Sequence, residues 1–214
     1  PLNQTCCGQP MANSGCSKDV KKLAIEFVNT FKDFDYIVAP SGSCVSMVKE
    51  HYAEFFDNDK DYNKVKASIY EVCEFFHDII KIENINFNVS FPFKVGVHSS
   101  CHGHRVLKLA TASELNIPYD SKLKNLLNTI SDIELVTLKR EDECCGFGGT
   151  FSVQEEAISV AMGKDRIKDH IDSKAEIMTG ADMSCLMHMD GIINRDKNPI
   201  KVMHIVEILA GVKP

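Results

Sequence analysis

Two Cys-Cys-Gly triplets limit what this chain can fold into. Cys6-Cys7-Gly8 lies near the start of the sequence, and Cys144-Cys145-Gly146 lies in its second half. A disulfide between adjacent residues would close a small, strained ring. The count of nine cysteines is odd, and 214 residues are enough to bury a core without disulfides. We therefore expect reduced thiols that hold a metal ion or a cluster.

The composition excludes several other classes of protein. The hydrophobic share of 44% and the charged share of 25% are typical of an ordered globular chain. A net charge of −6 gives no basic face for nucleic acid. No apolar run approaches the ~20 residues that span a bilayer, and no secretion leader is visible. We expect a cytoplasmic protein without a membrane span or a nucleic-acid partner.

Hydrophobic periodicity predicts alternating helices and strands. Apolar residues recur every three to four positions in 18–34, which is typical of an amphipathic helix. Further helices are predicted over 44–56, 62–80, 106–115, 121–130, 151–171, 184–193 and 204–209. Strands are predicted over 35–39, 93–97, 133–138, 176–178 and 200–202. This alternation indicates an α/β fold with a mainly parallel sheet.

The two triplets begin segments of similar layout. Each triplet is followed by a predicted helix, a strand and then a Ser-Cys pair that opens another helix. These pairs are Ser43-Cys44 and Ser184-Cys185. The repeat predicts two pseudo-repeated halves, 1–88 and 89–214, divided after a polar connector. We expect their two sites to face each other at the seam between the halves.

Four cysteines of the second half are expected to converge. Cys101 and Cys185 follow predicted strands, and Cys144-Cys145 lies in a turn. The carboxyl ends of parallel strands share one edge of a sheet, where ligands bind. Four cysteines suit a 4Fe–4S cluster or a tetrahedral zinc ion. Adjacent residues project apart, whereas zinc sites prefer a gap of two to four residues, so we favour the cluster and keep zinc as the alternative.

Glycines follow the second cysteine pair. Gly146, Gly148 and Gly149 have no side chains to keep backbone N–H groups away from sulfur. Hydrogen bonds of that kind tune the potential of a cluster. A tight turn before a helix is the simpler interpretation, and the neighbouring cysteines favour the functional one.

Histidines cluster around two of the candidate ligands. His98, His102 and His104 surround Cys101, and His188 follows Cys185 by one helical turn. Histidine ligates metals, carries protons and donates hydrogen bonds to sulfur. For His102 and His188 we weigh a supporting contact with the site against simple packing.

The two remaining cysteines have other surroundings. Cys16 lies just before a helix near the first triplet, where it is a weaker candidate for a further ligand. Cys73 lies in a predicted helix beside Phe75 and Phe76. Since free cysteine is often buried as a small apolar residue, we expect Cys73 to pack in the core.

With these motifs in hand, the chain resembles the cysteine-rich CCG-domain family, which includes the CCG-containing subunit of heterodisulfide reductase and the glycolate oxidase iron–sulfur subunit. Within the family it is most similar to the lactate-utilisation protein A branch. The motifs that carry the resemblance run from one end of the sequence to the other. They are Gln4-Thr5-Cys6-Cys7-Gly8-Gln9-Pro10, Pro40-Ser41-Gly42-Ser43-Cys44, His98-Ser99-Ser100-Cys101-His102, Asp142-Glu143-Cys144-Cys145-Gly146-Phe147-Gly148-Gly149-Thr150-Phe151-Ser152, Gly180-Ala181-Asp182-Met183-Ser184-Cys185-Leu186-Met187-His188 and Val202-Met203-His204.

The resemblance implies a function and a fold. It implies a part in oxidising L-lactate to pyruvate, with a ferredoxin-type iron–sulfur subunit and a third lactate-utilisation protein as partners. It also implies a Rossmann-like fold for each half, and iron–sulfur clusters held by the cysteines of both motifs. Those cysteines are Cys101, Cys144, Cys145 and Cys185 in the second half and Cys6, Cys7 and Cys44 in the first.

The sequence departs from the family pattern in two ways. The pattern ends in Cys-x-x-Cys, but here Ser41 and Asp182 take the place of the leading cysteine. Each site therefore has one ligand fewer, which argues against the five-cysteine noncubane clusters of the heterodisulfide reductases. The pattern also has a strand and a cysteine upstream of Cys6, which we expect to belong to a segment preceding Pro1.

Three functions remain open from the sequence. The favoured one is an iron–sulfur electron-transfer subunit. The second is a structural or assembly subunit in which zinc holds the strands together. The third is a thiol protein that exchanges disulfides, which requires exposed cysteines of low pKa.

Overall fold

This computed structural model describes residues 1–2 and 4–214. Its strands pair in parallel in two sheets. The smaller sheet joins β1 (Ile37–Ala39) to β2 (Ile69–Glu71). The larger sheet has the order β4-β3-β5-β6. Its strands are β3 (Lys94–His98), β4 (Glu134–Leu135), β5 (Ile177–Gly180) and β6 (Lys201–His204). The predicted α/β class with parallel pairing is confirmed.

Ten α-helices lie between and around these strands in the described residues. They are α1 (Gln9–Asn13), α2 (Ser17–Phe31), α3 (Gly42–Ser46), α4 (Lys60–Ser68), α5 (Val72–Glu74), α6 (Lys122–Leu127), α7 (Phe151–Gln154), α8 (Glu156–Asp172), α9 (Met183–Asp196) and α10 (Ile205–Leu209). Wider π turns and tighter 3-10 turns extend or link them at Met47–His51, Tyr52–Phe55, Phe75–Lys81, Ile82–Asn84, His102–Val106 and Ser113–Leu115. Within the described part of the chain, no helix has the length and apolar character that crossing a membrane requires.

Two elements show how sequence pattern produces this arrangement. Helix α2 buries Val20, Ala24, Val28 and Phe31, which recur every three to four residues and so lie on one face. Strand β5 is buried along its whole length, as expected for a parallel strand covered on both faces.

The structure corrects two predicted helices. The segment 62–80 contains β2, because Ile69 pairs with Ile37 across the small sheet. The helix then restarts at α5, where the Glu71 carboxylate caps the backbone N–H of Cys73. The segment 106–115 is not one helix, because Lys108 adopts a positive φ of 56° that ends the preceding turn.

The main hydrophobic core runs through both halves. It joins Val20 and Val28 of α2 to Val95 and Val97 of β3 and to Ile205 of α10. A second, smaller core packs α8 and α9 against the other side of the larger sheet. The strands of the smaller sheet come before residue 88 in the sequence, and those of the larger sheet come after it. The division into halves at this point stays a prediction.

Both halves pass through the same succession of elements. The first CCG turn leads to α1, α2, β1 and α3, and the second leads to α7, α8, β5 and α9. The glycines that close the two turns have nearly equal backbone angles, with φ of 84° at Gly8 and 86° at Gly146. A residue with a Cβ is disfavoured at such angles, which explains glycine at both positions.

Candidate functional site

Seven cysteines line one cavity of about 700 Å³. We refer to Cys6, Cys7 and Cys44 as the first cysteine set and to Cys101, Cys144, Cys145 and Cys185 as the second. Both sets border the same space. The structure therefore brings together the seven cysteines that the resemblance implies as ligands, and it leaves the weaker candidate, Cys16, outside the cavity.

The parallel strands explain how the second cysteine set converges. Cys101 follows β3, and Cys185 lies in the first turn of α9, just after β5. These two strands pair from Val95 opposite Ile177 to His98 opposite Gly180. Their carboxyl ends therefore lie side by side, and the turn before α7 brings Cys144 and Cys145 to the same edge.

In the first cysteine set, two sulfur atoms are in direct contact. The Cys7 thiol donates to the sulfur of Cys44 across 3.3 Å. This hydrogen bond lowers the pKa of Cys44 to about 6 and raises the pKa of Cys7. This contact therefore favours the thiolate form of Cys44.

In the second cysteine set, the thiolate form of Cys144 is favoured. Hydrogen bonding from the thiols of Cys101 and Cys145 lowers the pKa of Cys144. The same interaction raises the pKa values of Cys101 and Cys145, and the burial of both thiols raises them further. In each set, one cysteine therefore has a lowered pKa because a neighbouring thiol donates to it.

Backbone N–H groups also approach sulfur in both CCG turns. The Gly8 amide lies 3.4 Å from the sulfur of Cys6, and the Gly146 amide lies 3.3 Å from the sulfur of Cys144. Gly146 has a further reason to lack a side chain, because a Cβ there would lie 2.6 Å from the carbonyl oxygen of Ser159 in α8. The predicted amide approach to sulfur is therefore present in both turns.

The two residues that replace the family's leading cysteines cap helices. The Ser41 hydroxyl accepts from the Cys44 amide at 3.4 Å, at the start of α3. The Asp182 carboxylate accepts from the Ser184 amide at 3.2 Å, at the start of α9. The other carboxylate oxygen of Asp182 accepts from the Ser43 amide at 2.7 Å, so it joins the two cysteine-bearing loops.

The two histidines considered as supporting residues lie in different places. His102 lines the cavity, and its Nε2 lies 3.3 Å from the side-chain amide of Gln9. His188 lies behind the second CCG turn, with Nε2 3.3 Å from the Ser159 carbonyl oxygen and its ring 6.0 Å from that of Phe147. His102 is therefore placed at the site, whereas His188 packs the wall behind it.

His98 was one of the histidines noted around Cys101 in the sequence, but the supporting role was weighed for His102 and His188 only. It is 2% exposed at the end of β3, and a ring nitrogen lies within 4.8 Å of the sulfurs of Cys145 and Cys185. Its Nδ1 accepts from Nε of Arg166 at 3.2 Å. Burial and the positive charge of Arg166 lower the pKa of His98 to about 3, so the imidazole is neutral. The sequence signal that could have placed His98 at the site is the buried strand that ends in His-Ser-Ser-Cys.

Comparison with known proteins gives the family. The model of the cysteine-rich CCG domain matches residues 1–49 and 95–190. The chain belongs to the cysteine-rich CCG-domain family. This CCG-domain chain is 39% identical over 213 residues to lactate utilization protein A of Geobacillus thermodenitrificans, covering 98% of the chain and 84% of the relative. It is 38% identical over 220 residues to lactate utilization protein A of an Exiguobacterium species, covering 100% of the chain and 84% of the relative.

The cysteines of this CCG-domain chain outside the cavity are also accounted for. Cys73 is fully buried in the main core, and burial raises its pKa well above the ordinary value. The expected packing role is confirmed. Cys16 is exposed at the start of α2, and its thiol lies 3.9 Å from the carbonyl oxygen of Ser14.

The donor set of the CCG-domain cavity fits a metal centre. Its candidate ligands are sulfur atoms, which soft metals prefer over oxygen. Two of them accept backbone N–H groups, and one cysteine of each set has a lowered pKa, which favours the thiolate. Thiolates are the form of cysteine that binds metal, so the residues present suit an iron–sulfur cluster or zinc.

Proposed function

We propose that this chain is an iron–sulfur electron-transfer subunit of an L-lactate-oxidising system. The observation that carries the proposal is the cavity of about 700 Å³ shared by seven cysteines. The second cysteine set would hold a 4Fe–4S cluster through the thiolates of Cys101, Cys144, Cys145 and Cys185, and the first cysteine set would contribute three ligands to a second site.

Two features favour a cluster over a single ion. A tetrahedral zinc site draws four ligand atoms to within about 2.3 Å of one ion, which adjacent cysteines do with difficulty. The cavity of about 700 Å³ that these cysteines line has room for an object with several metal atoms. The amide groups of Gly8 and Gly146 that approach sulfur are the kind of hydrogen bond that tunes cluster potential.

The link to lactate comes from the relatives, which are named lactate utilization protein A. Oxidation of L-lactate to pyruvate releases two electrons and two protons, and clusters in this chain would carry the electrons onward one at a time. The proposed partners are a ferredoxin-type iron–sulfur subunit and a third lactate-utilisation protein. A cytoplasmic location belongs to the same proposal, because that compartment keeps thiols reduced.

A zinc-stapled structural subunit is the competing function, and one observation favours it. His98, Cys145 and Cys185 place ligand atoms within 4.8 Å of one another. Mixed nitrogen and sulfur ligands are common in structural zinc sites. In that case the metal would hold β3 and β5 together and carry no electrons.

Anaerobic purification with iron, acid-labile sulfide and zinc analysis separates these functions. We expect iron and sulfide in equal amounts, a brown colour, and visible absorbance that falls when dithionite is added. The Cys145→Ser variant should lose most of this signal, while Cys16→Ser, which changes an exposed thiol away from the cavity, should keep it. Stoichiometric zinc without sulfide would support the structural subunit, and a metal-free protein with reactive thiols would support disulfide exchange.

A further inference from the structure

We propose that the Nε2–H group of His98 donates a hydrogen bond to a cluster held by the second cysteine set, and that Arg166 holds the ring in the donating tautomer. The proposal rests on the proposed function in so far as it concerns a cluster potential. It assigns His98 to a contact with the cofactor and Arg166 to positioning His98. It also removes His98 from the set of metal ligands.

The environment of the His98 ring leaves one nitrogen without a partner. Nδ1 accepts from Arg166, whereas Nε2 is buried and has no hydrogen-bond partner among the described residues. An unpaired buried polar group destabilises a fold, so a ring nitrogen left in this state calls for a partner that binds later. The sulfurs of Cys145 and Cys185 lie within 4.8 Å of a nitrogen of this ring.

The guanidinium of Arg166 is fixed in place. The side chain is fully buried, and its terminal nitrogens donate to the carbonyl oxygen of Arg140 at 2.5 Å and to that of Val97 at 3.4 Å. It also pairs with the Asp169 carboxylate at 3.2 Å. Asp169 in turn accepts from the backbone amides of Lys139 and Arg140 at 3.1 and 3.0 Å. With these partners, Arg166 has little freedom to turn its Nε–H away from His98.

This contact decides which nitrogen of His98 carries the proton. A guanidinium has N–H donors and no acceptor, so Nδ1 of His98 must accept through its lone pair. A neutral imidazole then carries its proton on Nε2. The Nε2–H group is therefore a donor, and it is the group without a partner among the described residues.

The same tautomer excludes metal ligation by His98 in this arrangement. A metal-bound histidine offers the lone pair of one ring nitrogen and donates its other N–H to a carboxylate or carbonyl group. Here the second nitrogen faces a donor, which is the reverse of that pattern. In the group of His98, Cys145 and Cys185, the two cysteines therefore offer sulfur ligands and His98 offers an N–H donor. This counts against a zinc site of Cys2His type.

An N–H donor changes the electron affinity of a cluster. Reduction adds negative charge to the cluster and its sulfurs, and a hydrogen bond to sulfur stabilises that charge. Because Nε2–H is buried, this interaction is not weakened by water. Loss of the donor should therefore lower the reduction potential.

The first test measures the tautomer directly. In a ¹⁵N-histidine NMR spectrum of the full-length chain after metal removal, we expect His98 to show a protonated Nε2 and an unprotonated Nδ1. His104 is the internal control, because its Nδ1 lies 2.7 Å from the carbonyl oxygen of Ser100 and should carry the proton. A His98 signal with protonated Nδ1 would overturn the proposal. In Arg166→Gln, whose amide can also accept, a mixture of His98 tautomers is expected.

The second test measures the reduction potential of the cluster whose absorbance is lost in Cys145→Ser. Loss of the donor in His98→Leu should change the ratio of reduced to oxidised cluster at fixed potential by tenfold or more, which is about 59 mV for one electron. His98→Gln retains an N–H and should fall between this variant and the parent. His104→Gln, which replaces another buried histidine of the same loop, should match the parent potential.

The outcomes separate this proposal from the proposed function. Absence of iron and sulfide in the parent protein would reject the cluster, while the tautomer would still be read from the NMR spectrum. A normal cluster with an unchanged potential in His98→Leu would reject the donor role alone. Loss of iron in both His98→Leu and His98→Gln, together with a protonated Nδ1, would show that His98 is a ligand after all.

Discussion

The backbone amide of Ser43 donates a 2.7 Å hydrogen bond to the carboxylate of Asp182, and this bond joins the two cysteine-bearing loops. A second bond supports it, from the Gly42 amide to the Ala181 carbonyl oxygen at 3.1 Å. Asp182 is only 2% exposed. The position at which the family pattern has a cysteine is thus used here to hold the first cysteine set against the second.

Replacing Asp182 should therefore destabilise the fold more than replacing its counterpart Ser41. Asp182→Ala leaves the buried amide of Ser43 without an acceptor, at about 1–3 kcal/mol. It also removes the cap of α9, at about 0.5–2 kcal/mol. Ser41→Ala loses one helix cap, at about 0.5–2 kcal/mol. Urea unfolding of the two variants under identical metal loading measures the difference. Equal losses would mean that the bond between the loops contributes nothing beyond capping.

The variants Cys145→Ser and Cys73→Ser should distinguish a metal ligand from a residue that only packs in the core. Cys145 lines the cavity, so its loss should abolish the cluster absorbance and lower the melting temperature, because metal binding is linked to folding. Cys73 is fully buried in the main core, so serine there costs about 1–3 kcal/mol for a buried hydroxyl and leaves the absorbance intact. A parallel loss of absorbance in both variants would show that cysteines had been assigned to the wrong roles.

Three glycines allow backbone strain to be separated from crowding. Gly8, Gly15 and Gly146 all have positive φ, so alanine costs about 1–2 kcal/mol at each. A Cβ at Gly15 meets no atom within 4 Å, and one at Gly8 lies 3.3 Å from a movable methyl of Leu23. A Cβ at Gly146 would lie 2.6 Å from the Ser159 carbonyl oxygen and 2.7 Å from the Cβ of Met162.

We therefore expect Gly146→Ala to lose about 1–3 kcal/mol more than Gly15→Ala, since α8 must move away. Gly8→Ala should lie close to Gly15→Ala. Chemical denaturation of the three variants gives the order. If Gly146→Ala were no worse than Gly15→Ala, the close approach of the second CCG turn to α8 would be in error.

Glu71 should make the stability of the chain depend on pH. Burial raises the pKa of its carboxyl from 4.5 to about 7 in the folded chain. Since the folded value lies above the unfolded value, the contribution to stability is complete below pH 4.5 and is lost as the pH rises through about 7. The loss should be on the order of 3 kcal/mol.

Unfolding free energies measured from pH 4.5 to 8 should show this loss in the parent. Glu71→Gln should lack the step, because an amide does not titrate in this range. Glu26→Gln, a change on the exposed face of α2, should retain it. A step that persists in Glu71→Gln would assign the titration to another group.

Local pattern and strand geometry were enough to predict the cysteine cavity. Cys101 and Cys185 each follow a buried strand, and the carboxyl ends of parallel strands must lie together, so the position of both thiols follows from the sequence alone. The amphipathic pattern of α2 is equally local and was predicted to within a few residues. The roles of these residues toward a metal remain proposals.

Contacts between distant segments could not be predicted in the same way. Strand β2 is three residues long and exists because Ile69 meets Ile37 of β1, a partner that no local pattern specifies. Arg166 resembles any other charged helix residue in the sequence, yet the fold buries it against His98 of β3. Because tertiary packing sets these positions, they become visible only in the structure.

The shared core has a consequence for the order of events during synthesis. Val20 and Val28 lie near the beginning of the chain, but the core they enter also needs Ile205 and Ile208 of α10. A ribosome must therefore have released nearly all of these residues before that core can close. Cys7 belongs to the same core, so one of the cysteines that border the cavity is synthesised long before the residues against which it packs.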